Sequence, residues 1–277
     1  MKARRFRLFR GWVLSVLPAL AHSVSSDASD PTELLKRVVA NIEANRLKAQ
    51  NYTFVEDYHE INYDKKGKIT YDHTAKYETV MIEGTPYRRQ VEDNGKPLSG
   101  KAAAEEERKY QATVAERRRM NAELKQTLFH REVRYNADPA SWPILFKASS
   151  GDEAVVEGRT LLKLVLSPRS DVKPESDEKK DALHTSIQLW IDKADEMPVH
   201  MRTEFISDGT HLRAGTTMDL FWTKEELNGT YLRVRSLSQY RAKFFLAEVP
   251  GQSEQKFSNY KRFSVDVRIK PQPSQPQ

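Results

Sequence analysis

His59 and His73 are the residues of this 277-residue chain whose spacing comes nearest to a metal site. They flank "DKKGK" in two runs of alternating texture, "YTFVEDYHEINY" and "ITYDHTAKYETVMI", rich in the aromatic and β-branched residues of strands. Gly67 stands where a short hairpin loop needs a left-handed residue, which sets Asp64 opposite Lys68. Counting back along both strands puts His59 directly across from His73, with Asp57 two residues away on the same face. Two imidazoles and a carboxylate suit zinc or copper. The alternative is a surface histidine pair among tyrosines, and a register shift of one residue separates the imidazoles.

Other reactive chemistry is sparse. Cysteine is absent, which excludes disulfides, thiolate metal sites, a thiol nucleophile and lipid attachment through cysteine. Serine, histidine and acids are present, but G-x-S-x-G, H-E-x-x-H and a phosphate-cradling glycine loop are not. The expectation is a protein that is not an enzyme and uses no cofactor.

The stronger signal is apolar. Alternation places Leu162, Leu164 and Leu166 on one face of a strand, and Ile187, Leu189 and Ile191 on the next. Val199, Met201 and Phe205 follow, then Met218, Leu220 and Trp222, Leu232 and Val234, and finally Val265, Val267 and Ile269. The residues between, such as Lys163, Gln188, Asp219 and Arg233, are polar, as in a sheet covered on one side only. "LWIDKADEMPVHM" turns this wall back on itself at "DKADE". The residues expected to line an apolar cavity are Leu164, Leu189, Ile191, Val199, Met201, Phe205, Leu220 and Trp222.

The elements that must position this wall are legible in outline. "MKARRFRLFR" followed by the apolar "GWVLSVLPALA" has the layout of a secretory signal peptide, with cleavage expected after Ala21. Removing it takes five of the 45 basic residues and leaves 40 against 39 acids, so the net charge falls from +6 to +1. A basic footprint for nucleic acid is therefore not expected. Asp30, Pro31 and Glu33 mark a helix start, and Leu34, Leu35, Val38, Ile42 and Leu47 give it one apolar stripe to about residue 48. The hairpin and a third strand, "YRRQVED", end at the Asn94–Gly95 turn. A charged helix is expected over about 99–128, then strands at "WPILFK" and at "AVVEGRTLLKLVLSP", with a polar mobile loop at about 168–183. Further strands are expected at about 184–192, 197–206, 211–223, 230–241 and 260–269, and a disordered tail at 271–277. Residues 22–270 read as a single domain.

"VVEGRTLLKLVLSP", "LWIDKADEMPVHMRTEF" and "NYKRFSVDV" resemble exported bacterial proteins of the outer-membrane lipoprotein-sorting, LolA/LolB-like superfamily. The resemblance is clearest over residues 154–269. It implies a mainly β fold: a strongly curved antiparallel half-barrel of about nine to eleven strands. The N-terminal helix and the charged inserted helix would pack on or over its concave face. It also implies a periplasmic or secreted binder or carrier of an apolar ligand, such as a lipid or a lipoprotein acyl chain, with peripheral membrane contact. The charged helix and the 168–183 loop enlarge the chain beyond the compact carrier pattern. The other reading is a cell-envelope interaction module with a self-filled core, its charged helix docking a protein partner. One helix is too little to cover so many strands, so curvature, the charged helix or a ligand must cover the rest.

Overall fold

Helix α1 (Pro31–Ala49) begins where the sequence marks it: the Asp30 carboxylate accepts from the Thr32 N–H at 2.9 Å, and Pro31 fills the first turn. The computed structural model describes residues 30–120, 138–244 and 247–263. The expected signal peptide, the 121–128 end of the charged helix, the wall residues Val265, Val267 and Ile269, and the tail lie outside the described residues.

The strands are β1 (Tyr52–Tyr63), β2 (Ile69–Ile82), β3 (Thr85–Asp93), β4 (Lys96–Pro97), β5 (Phe146–Val156), β6 (Arg159–Pro168), β7 (Thr185–Asp192), β8 (Met197–Phe205), β9 (Thr217–Lys224), β10 (Tyr231–Phe244) and β11 (Ala247–Arg262). They form one 11-stranded antiparallel sheet in the order β4-β3-β2-β1-β11-β10-β9-β8-β7-β6-β5. Two meanders are thus joined where β11 pairs with β1. The sheet is curved and does not close, and its architecture is the half-barrel expected from the sequence.

Helix α1 crosses the concave face over the β5–β9 side. Leu34, Leu35, Val38 and Ile42 are buried in one cluster with Leu164, Leu166, Ile187, Leu189, Ile191, Met201 and Leu220. Trp142, Leu145 and Phe146 complete it. These three belong to a segment expected to be a strand. Instead Pro139–Ser141 forms a 3-10 turn and Trp142–Leu145 a helical turn, α3, before β5 starts. The Asp138 carboxylate accepts from Ala140 N–H with Pro139 next in line, repeating the Asp30–Pro31 start signal. Polar contacts hold α1 to the β7–β8 turn and to β10. Arg37 grips Glu196 with two nitrogens, at 3.0 to 3.1 Å, and Asn41 donates to the Asp195 carbonyl. Asn45 exchanges two hydrogen bonds with the Tyr231 backbone, at 2.7 and 2.8 Å.

The charged helix, α2 (Gly100–Arg119), runs beside β3, near the edge that only the two-residue β4 extends. Arg117 is buried and donates to the Thr85 and Pro86 carbonyls, and the Glu106 carboxylate accepts from Gln90 N–H. Backbone groups of an edge strand are thereby occupied by side chains. The Tyr87 hydroxyl donates to Glu106, and burial together with that carboxylate pushes it up to about 12. The loop expected at 168–183 contains a short helix, α4 (Asp177–Ala182), capped by Ser176. Strand β9 starts at Thr217 rather than near 211, and the last described strand covers 247–262, upstream of the 260–269 expected.

The first hairpin closes as its turn dictates, then departs. Gly67 is left-handed, at φ 77°, and Asp64 N–H donates to the Lys68 carbonyl at 2.8 Å. A bulge between Asn62 and Tyr63 then shifts the register by one, so His59 pairs with Thr74 and His73 with Glu60.

Candidate functional site

Helix α1 leaves part of the concave face open. Between its C-terminal half and the strands around the β1–β11 junction lies a cavity of about 410 Å³. Ile42, Asn45, Arg46, Ala49 and Gln50 form its helical wall. Phe54 from β1, Pro86 from β3, Met197 and Pro198 from β8, Trp222 from β9, Leu232 from β10, and Phe257 and Tyr260 from β11 form the sheet wall. The aromatic rings pack on one another: Phe54 meets Phe257 edge-on at 5.6 Å and Tyr260 at 5.3 Å. The Tyr260 hydroxyl donates to the Arg233 carbonyl, and burial pushes its pKa up.

Polar groups at the floor are paired. Glu56 is only 3% exposed, and Arg88 meets both its oxygens at 2.7 Å while Gln255 donates a further bond at 2.8 Å. The Arg88 guanidinium lies 3.2 Å from the Tyr77 ring centre. A buried carboxylate is tolerable only when so supplied with donors. Beyond this pair the concave face turns polar: the Tyr58 and Tyr240 hydroxyls both donate to Glu60, and burial plus that carboxylate raise both phenols. Gly251 belongs here because a Cβ would stand 2.6 Å from the Tyr240 ring. At the other end of the cavity Asp195 accepts from Lys224 at 2.6 Å and from the Tyr231 hydroxyl at 2.7 Å; these bonds, Lys224 first, hold its carboxyl below the ordinary range.

The residues expected to line a cavity are divided by the structure. Leu164, Leu189, Ile191, Met201 and Leu220 face α1, but at 0 to 3% exposure they are core, filled by the helix and by Trp142. Phe205 is buried farther along β8, against Gly209. Val199 is the extra residue of a bulge: Trp190 pairs with His200 and Ile191 with Pro198, so Pro198 takes the inward place. Trp222 does line the cavity. The sequence does not point to Phe54, Phe257 or Arg88, because β1, β3 and β11 look polar apart from scattered aromatics; it sets Arg233 on the polar face opposite Leu232, and a register irregularity between Arg233 and Arg235 in the pairing with β9 brings both residues to the cavity wall. Those isolated aromatics in hydrophilic strands were the available signal.

The histidine pair is undone by the bulge, which puts His59 and His73 on opposite faces of the sheet. Each bonds its own carboxylate, His59 to Asp72 at 2.8 Å and His73 to Asp93 at 2.7 Å. Among the described residues no group of three or more histidine and acidic side chains is placed to hold a metal ion. On the convex face His200 is stacked between Trp190 and Phe221, both 4.3 Å away, and bonds Asp219 at 2.7 Å. His184 Nδ1 meets Ser207 Oγ at 2.7 Å. Its other ring nitrogen has no carboxylate partner among the described contacts, so the orienting acid of a hydrolytic triad is missing there.

No helix among the described residues is long and apolar enough to cross a membrane. No protein-family model matches the chain, and no curated protein matches it. Several solved structures do. One is a putative outer membrane lipoprotein-sorting protein domain from Vibrio parahaemolyticus, with 8% identity and TM-score 0.39, covering 86% of this chain and 95% of that one. Another is a DUF1329 family protein from Desulfovibrio piger, with 11% identity and TM-score 0.40, covering 87% and 96%. A third is a LolA superfamily protein from Nitrosomonas europaea, with 9% identity and TM-score 0.34, covering 87% and 97%.

Proposed function

We propose that this protein is a non-enzymatic binder or carrier of an apolar ligand, a lipid or an acyl chain, held in the cleft between the end of α1 and the β1–β11 strands. The observation that supports it is the cleft itself: about 410 Å³, walled by Phe54, Trp222, Leu232, Phe257 and Ile42, with its floor charges neutralised by each other. That volume falls within the usual range of about 300–1,000 Å³ for ligand pockets, and the mix of apolar wall and few polar groups is typical of them. The ligand-lining role moves from Leu189 and its neighbours to the uncovered half of the concave face. The signal-like N-terminus supports an exported, periplasmic or secreted setting. Trp222 provides the test: titrating decan-1-ol should change its emission and saturate, and Trp222→Phe should remove the signal. A flat titration in the intact protein would contradict the reading.

The second reading, an envelope interaction module, is favoured by one observation: α1, Trp142 and Leu145 fill the β5–β9 half of the wall from within the chain. In that reading α2 offers its charged outer surface to a protein partner. A flat decanol titration, together with loss of partner capture on reversing the charges of Glu105 and Lys109 on α2, would favour it.

A further inference from the structure

Three arginines and one glutamate line the cleft: Arg46, Arg88, Arg233 and Glu56. Glu56 is committed to Arg88. Arg46 is held by Glu43 on the preceding turn of α1. Arg233 differs. Its backbone carbonyl accepts from Tyr260, but its guanidinium has no acidic partner among the described contacts: it lies 5.1 Å from the Phe257 ring centre and interacts electrostatically with the Tyr260 phenol. Phe257 is itself a wall of the cleft, and Trp222 is the cross-strand neighbour of Arg233. A guanidinium carries five donors in a planar fork that matches a carboxylate with two parallel hydrogen bonds. Here that fork stands at an apolar cavity with its donors unspent. The C-terminal end of α1 also faces the cleft, and its negative dipole end is offset by Arg46 and Lys48 in the last turn.

Resting on the ligand-binding reading above, we propose that the occupant is a single-chain amphiphile with a carboxylate head, a free long-chain carboxylic acid. The head pairs with Arg233, and the chain lies along Phe257, Phe54 and Trp222 beneath Ala49. The wall residues satisfy the chain, which needs no hydrogen bonds, and Arg233, the one lining cation without an acidic partner among the described residues, satisfies the head. The Glu56–Arg88 pair closes the floor without demanding charge from the ligand. A cationic head is disfavoured because Glu56, the one carboxylate among the described lining residues, is neutralised by Arg88, and Asp195 at the end of the cleft is neutralised by Lys224.

Three probes of equal chain length separate head from chain when titrated calorimetrically, the two ions below their micellar concentrations and the alcohol below its solubility limit: decanoate, decan-1-ol and decyltrimethylammonium. Decanoate should bind at least tenfold more tightly than decanol, with the ammonium weakest. Arg233→Gln should weaken decanoate binding at least tenfold, toward the decanol value, and Arg233→Lys should restore part of the difference. Equal binding of decanoate and decanol by the intact protein would overturn the carboxylate assignment and leave the apolar-ligand reading standing, as would a preference that survives Arg233→Gln. Failure of all three probes would remove both. Because the comparison of probes on the intact protein needs no variant, a folding defect in Arg233→Gln cannot rescue the proposal.

Discussion

Glu56 is a carboxylate carried under an apolar cleft, and its tolerance depends on Arg88. Removing the cation alone, in Arg88→Met, strands a buried charge and should destabilise the fold by about 2–3 kcal/mol, less than for a fully buried pair because Arg88 is partly exposed. The double variant Glu56→Gln/Arg88→Met should recover much of that loss, which paired denaturant titrations measure. His200 gives a pH dependence. Burial between two rings holds its imidazole below the ordinary 6.5, with Asp219 pulling the other way and Arg202 adding to the lowering. As pH falls, the unfolded chain takes up this proton before the folded one. The effect is therefore absent above about pH 6.5 and costs stability progressively below it. Melting temperatures between pH 7 and 5 should fall less in His200→Gln than in the parent; an equal fall would contradict this. Residue identities at these places were plain in the sequence, but their partners were not. Asp64, Gly67 and Lys68 correctly set the hairpin turn, and one bulge at Asn62–Tyr63 then parted His59 from His73. Nothing in the alternation of residues announces an inserted one.

Among the elements, α1 decides which part of the concave face is core and which is cleft. Leu189 has no exposed surface beneath it, so Leu189→Trp overpacks the core and should cost about 1–3 kcal/mol. Ala49, half-buried at the end of the same helix, faces the cleft. Ala49→Trp should fill the cleft and abolish decanol binding while changing stability by less than about 1 kcal/mol. Equal stability losses for the two would mean that cleft and core are not distinct. The Arg117 contacts that hold α2 on β3 make a third case. Arg117→Met should leave the Thr85 and Pro86 carbonyls short of a donor and cost about 1–3 kcal/mol, with faster amide exchange confined to α2 and β3. The strong period of α1, β7 and β8 gives nearly correct bounds, whereas "AVVEGRTLLKLVLSP", which reads as one strand, holds the end of β5, a turn at Glu157 and Gly158, and β6. Trp142–Leu145 reads as a strand because its apolar run has no period of its own, although Asp138–Pro139 carries the same start signal as Asp30–Pro31. Strand β11 escaped because Gly251, Ser253 and Gln255 face the polar, uncovered part of the concave surface and so show no apolar alternation.

For the whole molecule, the sheet presents more inward surface than one helix covers. On the β5–β9 side α1, α3 and α4 meet it with a close-packed cluster; around the β1–β11 junction the surface stays open and is walled by aromatics. That division links the fold to its proposed function, because a cleft beside a rigid core can be emptied and filled without unfolding the sheet. Native mass spectrometry of protein gently purified from the cell envelope tests this most directly, comparing the parent with Ala49→Trp. The parent should carry an added mass in the range of one lipid or acyl chain, and Ala49→Trp should be bare at equal stability. A bare parent that also fails to take up decanol or decanoate on addition would contradict it.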